Sequence, residues 1–311
     1  MILRIVPSEA ERVVSELSRE TIERASRSFR LDGALIIEDI VDTALISEAR
    51  RVFGEAYAHY LDDPSHEDVA RVGERRLMIA IALEPPFGDP QLFANPYLLS
   101  ILSSELDKGF VIGAFGVVCS LPSAPIQHRH YDGGILFPTS GFDRLLPAPA
   151  VTVGIPLVEM NEFHGTTTLW LGSHRDDARV TKEPGITPVV REGSCILWDF
   201  RLFHGGTPNR SNMPRPLLYL TYCRPWFVDH LNFNAKTNPK QKPLLASKKL
   251  LSSLSEQHQR LLLRAQEAEP ASDRPAAHGR APIDLVSERQ PRYHDCDVVH
   301  DMDTVRGCSK P

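Results

Sequence analysis

The sequence predicts a mainly β protein with flanking helices, whose core is a double-stranded β-helix of the jelly-roll or cupin kind. Two observations predict this fold. Helical periodicity dominates the chain before residue 110, and short apolar runs separated by Gly and Pro turns follow to residue 227. Several short strands after a helical beginning are typical of an antiparallel double-sheet roll with helices packed outside. Such a roll encloses a cavity between its sheets, in which a ligand would bind.

The helical part, residues 1–109, contains three predicted helices. Ser8 begins the first helix as an N-cap, and Glu11 stands three residues later, as in a capping box. Apolar residues recur at helical spacing in the first two helices, which indicates that one face of each is buried, and Asn95-Pro96 begins the third. The predicted helices cover 8–28, 42–61 and 95–106, and apolar extended runs lie between them at 33–39 and 75–83.

The core, residues 110–227, contains seven predicted strands. They cover 110–121, 126–131, 151–158, 166–171, 186–190, 194–199 and 216–226. The spacing of leucines then predicts an amphipathic C-terminal helix over 247–267. Pro, Ala, Asp, Arg and Ser dominate 269–311 with little periodicity, which predicts an extended or partly disordered tail. We therefore expect residues 1–268 to form a single domain.

Composition excludes several classes of partner. The net charge of −5 and the pI near 6.2 come without a basic stripe, which argues against nucleic-acid binding. No apolar run reaches the ~20 residues of a membrane span. The five cysteines show no CxxC spacing, which favours reduced thiols and a cytoplasmic protein. A small-molecule substrate is the expected partner, and a homodimer is left open.

A His-x-Asp pair and a distant histidine are the candidate metal ligands. In an extended segment, His130 and Asp132 point to the same side, because alternate side chains of a strand share a face. His204 follows Asp132 by 72 residues. Two imidazoles and one carboxylate form the facial triad of non-heme Fe(II) oxygenases. His128 lies on the same face, so that His128-x-His130 is an alternative metal pair.

Arg215 follows His204 by eleven residues, across a turn rich in Gly, Asn and Pro. This spacing predicts one strand that carries the histidine, a loop, and a return strand that carries the guanidinium to the same region. A guanidinium binds a carboxylate through two parallel charge-assisted hydrogen bonds. We expect Arg215 to hold the far carboxylate of a dicarboxylic co-substrate whose other end chelates the metal.

Further motifs surround these residues. They are Phe29-Arg30-x-Asp32-Gly33, Asn161-x3-Gly165-Thr166-Thr167-Thr168-Leu169-Trp170-Leu171-Gly172-Ser173-His174-Arg175, Gly193-Ser194-Cys195-Ile196-Leu197-Trp198-Asp199, His204-Gly205, and Pro214-Arg215 before a strand that ends Arg224-Pro225-Trp226. With His130-x-Asp132, this set resembles the phytanoyl-CoA dioxygenase (PhyH) family of Fe(II)/2-oxoglutarate-dependent oxygenases, over roughly residues 28–227. The similarity is to the members that tailor natural products.

The resemblance implies a role for each candidate site residue. His130, Asp132 and His204 are implied to bind iron and to be the catalytic centre, and Arg215 to bind the distal carboxylate of 2-oxoglutarate. Gln127 and Thr167 are implied to contact 2-oxoglutarate as well. Alternation along the strand makes Thr167 face away from its two neighbouring threonines, so the choice among the three threonines depends on the register.

The implied activity is that of an Fe(II)- and 2-oxoglutarate-dependent dioxygenase that also consumes O2. Such an enzyme oxidises an aliphatic C–H of a small, largely apolar metabolite and releases succinate and CO2. Hydroxylation is the first expected outcome, with desaturation, epoxidation and cyclisation as alternatives. Candidate substrate-pocket residues are Arg75, Arg76, Met78, Phe87 and Phe137.

Two other hypotheses stay open at this point. One is a cupin-type dioxygenase that binds metal through His128, His130 and His204 and does not use 2-oxoglutarate. The other is a non-catalytic jelly-roll binding protein that keeps the metal site for folding. A second polar cluster, at residues 294–301, has no matching partner cluster and is interpreted as part of a polar tail.

Overall fold

The architecture is organised by one sheet of eight strands, seen in a computed structural model. The structure describes residues 1–66, 69–133, 136–137, 141–176, 184–230, 232 and 244–267. The strands are β1 (Leu3–Ile5), β2 (Ala34–Ile37), β3 (Ala70–Arg71), β4 (Arg76–Ala80), β5 (Ala82–Leu83), β6 (Val111–Ser120), β7 (Ala150–Pro156), β8 (Thr167–Leu169), β9 (Cys195–Asp199), β10 (His204–Gly206), β11 (Arg215–Cys223), β12 (Leu245–Ala246) and β13 (Gln266–Glu267).

The large sheet has the strand order β1-β2-β9-β7-β11-β6-β4-β3 and is antiparallel except for the β1–β2 pair. A small antiparallel sheet pairs β10 with β8, and isolated bridges extend it through His130 and Ile186. Strands β12, β13 and β5 form a third, parallel group. The prediction of a mainly β roll with flanking helices is confirmed.

Helices cover the outer face of the large sheet. They are α1 (Glu9–Val14), α2 (Arg19–Asp32), α3 (Thr43–Ala56), α4 (Ala58–Asp62), α5 (Pro90–Phe93), α6 (Pro96–Glu105), α7 (Lys248–Ser253) and α8 (Glu256–Leu261). The apolar stripes of α2, α3 and α6 pack in one cluster with Leu218, Leu220 and Tyr222 of β11. Because side chains alternate along a strand, Arg215, Leu217 and the odd-numbered positions that follow point to the inner face.

Several boundaries differ from the sequence prediction for local reasons. The predicted helix 8–28 is two helices, because Ser15 adopts a left-handed conformation that ends α1 and Ser18 caps α2. The capping box of Ser8 and Glu11 is present. The predicted helix 247–267 is likewise divided, since Leu254 is extended and Ser255 starts α8 with its own cap.

Two predicted strands were wrong. Residues 126–131 and 186–190 run beside the small sheet but contribute only isolated bridges to it. The predicted tail and its polar cluster lie outside the described residues. Within the described residues, no helix is both long and apolar enough to cross a membrane.

Candidate functional site

His130, Asp132 and His204 come together at the edge of the small sheet. The backbones of His130 and His204 exchange two hydrogen bonds, of 2.8 and 2.9 Å from N to O. This bridge sets the two imidazoles side by side, with ring centroids 4.4 Å apart. One potential ligand atom from each of the three residues lies within 4.8 Å of the other two. The three predicted ligands therefore meet, although the strand expected to carry the first two is absent.

Both imidazoles are oriented by their own backbone. Nδ1 of His130 lies 3.1 Å from the carbonyl oxygen of His128, and Nδ1 of His204 lies 2.9 Å from that of Leu202. A carbonyl oxygen can only accept, so each Nδ1 carries the hydrogen and each Nε2 keeps its lone pair. This is the arrangement by which proteins fix the tautomer of a metal-binding histidine.

The carboxylate of Asp132 is also fixed, by two neighbouring strands. Its Oδ2 accepts hydrogen bonds from Thr152 Oγ1 at 2.6 Å and from Trp198 Nε1 at 2.7 Å. Thr152 and Trp198 stand opposite each other in the register of β7 and β9. Oδ1 lies 3.4 Å from His204 Nε2. Two hydrogen bonds thus occupy one carboxylate oxygen and leave the other directed toward the histidines.

The charge states suit a cation. Burial, followed by repulsion from His204, lowers the pKa of His130 to about 4, so its imidazole is neutral at pH 7. Burial opposes ionisation of Asp132, but the nearby His204 and the hydrogen bonds outweigh it and lower the pKa to about 2. Burial likewise opposes protonation of His204, yet the Asp132 carboxylate raises the pKa of that imidazole. Two histidine nitrogens and one carboxylate oxygen form a donor set that fits Fe(II).

His128 is exposed and is not part of this group, although its ring centroid lies 5.1 Å from that of His130. Among the described residues, His130, Asp132 and His204 are the one such group of three. The geometry therefore favours the His-x-Asp interpretation over His128-x-His130.

Arg215 belongs to a row of polar residues across the inner face of the large sheet. Ser120 of β6 pairs with Arg215 of β11 on one side and with Arg76 of β4 on the other. All three side chains are buried, with 0 to 2% of their surface exposed. Four of their polar atoms have no hydrogen-bond partner in the described structure: Arg76 Nε, Ser120 Oγ, Arg215 Nε and Arg215 Nη1.

The two guanidiniums repel each other without a carboxylate between them. Arg76 donates to the carbonyl oxygens of Pro125 and Thr207, the latter at 2.6 Å. No ion pair in the described part of the chain includes Arg76 or Arg215. Burial lowers the pKa of each to about 10, and the neighbouring charge of Arg215 adds to this effect at Arg76. Both stay protonated at neutral pH, so the row holds two buried charges that a bound anion would compensate.

Gly206 connects this row to the metal ligands. It lies two residues after His204 on β10, and a Cβ atom there would come within 2.9 Å of Arg76 Nε and 3.0 Å of Gln127 Oε1. Gln127 donates to the carbonyl of Val72 and accepts from the N–H of Gly206, at 2.6 and 2.9 Å. Only glycine leaves this space open between the metal ligands and the guanidiniums.

Thr167 pairs with Gly206 in the register of β8 and β10 and is buried. Thr166 Oγ1 donates instead to the carbonyl of Pro188, on the other side of the strand. The structure thus places Thr167, of the two, beside Gly206. The side-chain nitrogen and oxygen of Gln127 are both already hydrogen-bonded to backbone groups. Contact of Gln127 and Thr167 with a co-substrate stays a prediction.

Sequence reasoning missed three residues of this region. Ser120 and Thr152 received no role, and Arg76 was placed among the candidates for the substrate pocket. Of those candidates, Phe87 belongs to the core under the helices, and Arg75 is exposed and bonds Pro122. The sequence did contain a signal for Arg76, because this residue directly precedes the apolar run Leu77-Met78-Ile79. An arginine is almost never fully buried unless a partner compensates its charge, so an arginine at the start of a buried strand indicates a binding or structural role.

One family model matches more than half of the chain. The profile of the phytanoyl-CoA dioxygenase (PhyH) family matches residues 29–217. The dioxygenase Trt7 of Aspergillus terreus is 32% identical over 107 residues, which are 33% of this chain and 37% of the relative. The chain thus matches little more than one third of the length of that relative.

Two solved structures share the fold at low identity. The epimerase SnoN, in complex with Fe3+, alpha-ketoglutarate and nogalamycin RO, has a TM-score of 0.50 and 17% identity over 66% of this chain and 84% of its own. AviO1 from Streptomyces viridochromogenes Tue57 has a TM-score of 0.50 and 20% identity, over 66% and 95%.

Proposed function

The chain belongs to the phytanoyl-CoA dioxygenase family of Fe(II)- and 2-oxoglutarate-dependent dioxygenases, and we propose that it oxidises an aliphatic C–H of a small, largely apolar metabolite. Fe(II), 2-oxoglutarate and O2 are the cofactor and co-substrates of the family. Hydroxylation is the first product class, and desaturation, epoxidation or cyclisation are alternatives of the same chemistry. SnoN, an epimerase in complex with Fe3+ and alpha-ketoglutarate, is consistent with such variety on this fold.

His130, Asp132 and His204 hold the iron in this proposal. The ligand atoms are the two Nε2 lone pairs and Asp132 Oδ1, because the remaining polar atoms of these side chains already have partners. When bound, the iron supplies the oxygen-activating chemistry that converts 2-oxoglutarate to succinate and CO2 and oxidises the substrate. The chain itself keeps Asp132 ionised and His130 neutral, as ligation requires.

One observation carries the assignment of 2-oxoglutarate, the row Arg76, Ser120 and Arg215 with its unpartnered buried atoms. A strand rises about 3.3 Å per residue, so Gly206 lies roughly 7 Å along β10 from His204. A short dicarboxylate can reach the metal ligands with one end and the guanidiniums with the other. Its far carboxylate then neutralises the repulsion between Arg76 and Arg215 and accepts their free N–H groups.

The inner face beside this row supports an apolar substrate. Met78, Ala80 and Val118 point to the inner face of β4 and β6 and are partly exposed, whereas their outer-facing neighbours are fully buried. The ring of Tyr219 lies over Gly116, where a Cβ atom would come within 2.8 Å of Tyr219 Cε1. Its hydroxyl makes no hydrogen bond to the described residues. Beside the row, the inner face of the sheet is thus apolar, with one phenol available to a substrate oxygen.

The test is anaerobic addition of Fe(II) and 2-oxoglutarate to the purified protein, followed by visible spectroscopy. We expect the weak charge-transfer band of the iron chelate in the wild type and in Arg50→Ala, an exposed arginine of α3. We expect no band in Asp132→Ala and a strongly weakened titration in Arg215→Ala. Admission of O2 should then yield succinate.

Each alternative predicts a different result. The three-histidine hypothesis predicts that His128→Ala abolishes metal binding and that 2-oxoglutarate gives no band. A non-catalytic binding protein would give the band but no succinate with any metabolite screened. Mass spectrometry of such a screen, in search of products 16 mass units heavier or 2 lighter, identifies the substrate and the reaction.

A further inference from the structure

The chain that follows β11 returns to the metal ligands. We call residues 224–230 and 232 the return segment. At its far end, Asn232 Nδ2 donates a hydrogen bond of 2.6 Å to the backbone carbonyl of Asp132. The return segment lies after residue 217, where the match to the family ends. Asn232 also lies beyond the sequence motifs that carry the family resemblance, the last of which ends at Trp226.

The return segment is anchored at its beginning. Arg224 is buried and donates to the carbonyl oxygens of Ala148 and Glu105 at 2.8 and 2.7 Å. Phe227 donates its N–H to Arg224 O and packs edge-to-face on Phe200, with ring centroids 5.6 Å apart. The start of the segment is therefore fixed to the large sheet.

Phe200 in turn contacts the metal-ligand segment. Its ring occupies the space where Gly133 would carry a Cβ atom, so that Gly133 cannot be replaced without a shift of Phe200. Its carbonyl oxygen accepts the N–H of Asp132 at 3.2 Å. The same aromatic residue thus supports the return segment on one side and the backbone of Asp132 on the other.

Asn232 is itself held in place. Asp229 Oδ1 accepts the backbone N–H of Asn232 at 3.0 Å, and Asp229 Oδ2 accepts its side-chain Nδ2 at 2.9 Å. Because both hydrogens of a carboxamide nitrogen can donate, Nδ2 bridges Asp229 and the carbonyl of Asp132. The Asn232 side chain is only half-buried, so this bond is not an incidental product of core packing.

Taken together, these contacts restrain Asp132 from four directions. The carbonyl of Phe200 accepts the N–H of Asp132, and Asn232 donates to the carbonyl of Asp132. Thr152 and Trp198 donate to its Oδ2. Only Oδ1 is left to the metal. We propose that Asn232 is a positioning residue for the iron ligand Asp132, so that the return segment completes the metal site. This inference rests on the proposed function only in taking Asp132 as a ligand.

The experiment measures Co(II) binding, anaerobically and without 2-oxoglutarate, in the full chain. Asn232→Leu keeps the shape of the side chain and removes the donor without adding charge. Outer-sphere partners of metal ligands change affinity by about 10- to 100-fold, and we expect Asn232→Leu at the lower end, about tenfold weaker. The visible ligand-field bands of bound Co(II) should shift, because Asp132 Oδ1 changes position. Asn232→Gln, which keeps the carboxamide, should recover part of the affinity.

Asn161→Ala is the matched control. Asn161 caps a turn through bonds to Phe163, His164 and Glu159 and does not contact the ligands. We expect its Co(II) affinity and spectrum to equal those of the wild type. Should Asn232→Leu fail to fold, Asp229→Ala removes the partner that orients Asn232 and should weaken Co(II) binding in the same direction.

The outcomes separate the two proposals. If the wild type binds no Co(II), the assignment of His130, Asp132 and His204 as metal ligands is refuted, and the role of Asn232 with it. If the wild type binds Co(II) and Asn232→Leu gives the same affinity and spectrum, the metal centre stands and the positioning role of Asn232 is overturned. A lower melting temperature of Asn232→Leu with unchanged Co(II) spectrum would likewise overturn it, because that result shows a purely structural bond.

Discussion

Two buried arginines stand at the opposite ends of β11, and their surroundings differ. Arg215 begins the strand with Nε and Nη1 unpartnered. Arg224 follows the end of the strand, and each of its nitrogens has a partner: the carbonyls of Ala148 and Glu105 and the carboxylate of Asp107. Both side chains expose less than a tenth of their surface. The two arginines thus have similar burial at the two ends of one strand, but the hydrogen bonding of Arg224 is complete and that of Arg215 is not.

Hydrogen-bond partners distinguish a structural arginine from a binding arginine when both are buried. A buried charge without partners destabilises the fold, so it persists where a ligand provides the missing partners. The complete set of bonds at Arg224 joins the end of β11 to the C-terminal end of α6, at Glu105 and Asp107, and to the loop before β7, at Ala148. At Arg215, Nε and Nη1 lack partners, and the nearest residues across the sheet are Ser120 and Arg76, whose own polar atoms are also partly unpartnered. Three arginine substitutions test this distinction, and a pair of tyrosine substitutions extends it.

Arg215→Ala should give the largest effect. It should weaken the binding of 2-oxoglutarate without lowering the stability of the fold. Loss of one partner of a buried charged pair amounts to roughly 3 kcal/mol or more, which is about 100-fold in affinity. We expect 2-oxoglutarate to bind the Mn(II)-loaded variant at least that much more weakly by calorimetry. Without 2-oxoglutarate, the variant should melt at or above the wild-type temperature, because an uncompensated buried charge is gone. A clear loss of stability would contradict the comparison.

Arg224→Ala should show the reverse. Its removal leaves two buried carbonyl oxygens without donors, and each unsatisfied group destabilises by about 1–3 kcal/mol. We expect the free energy of unfolding to fall by about 2 kcal/mol or more, measured by denaturant titration. The folded fraction should bind 2-oxoglutarate with unchanged affinity, and a loss of affinity comparable to that of Arg215→Ala would remove the distinction.

Arg76→Met tests an intermediate case. Arg76 donates to Thr207 and Pro125 but leaves Nε free, so it is structural in part and incomplete in part. We expect a loss of about 1 kcal/mol in stability, smaller than in Arg224→Ala, because removal of the charge that Arg215 repels offsets part of the destabilisation by the two released carbonyls. We expect about tenfold weaker binding of 2-oxoglutarate. If the affinity is unchanged, Arg215 binds the distal carboxylate without help from its neighbour.

The same distinction shows where sequence reasoning succeeded and where it could not. The spacing from His130 to Asp132 follows from alternation along an extended chain. The spacing from His204 to Arg215 follows from a strand, a loop and a return strand, so these residues could be brought together from sequence. The pairing of Arg76 and Ser120 with Arg215 could not, because a sheet order that places β6 between β4 and β11 depends on long-range contacts.

Local chain geometry was the other limit. Residues 126–131 have the alternation of a strand, yet the backbone forms only the bridge at His130 before turning at Gly133. The end of α1 depends on the left-handed backbone of Ser15, and the start of α8 depends on one hydrogen bond from the N–H of His258 to the Ser255 side chain. Neither choice is visible in the spacing of apolar residues. Asn232 lies 100 residues from Asp132, and no periodicity connects the two.

The smallest expected effect comes from a pair of tyrosines on opposite faces of β11. Tyr222 faces the helices and donates to the carbonyl of Phe93 at 2.8 Å, whereas the hydroxyl of Tyr219, on the inner face, bonds no group in the described chain. Tyr222→Phe should therefore lower the free energy of unfolding by about 1 kcal/mol and leave turnover unchanged. Tyr219→Phe should leave stability unchanged and, once a substrate is known, raise its KM and the ratio of succinate to oxidised product. Equal effects of both substitutions on stability would mean that the inner face of β11 is a packed core like the outer face. Tyr219 would then not be a contact for a substrate oxygen.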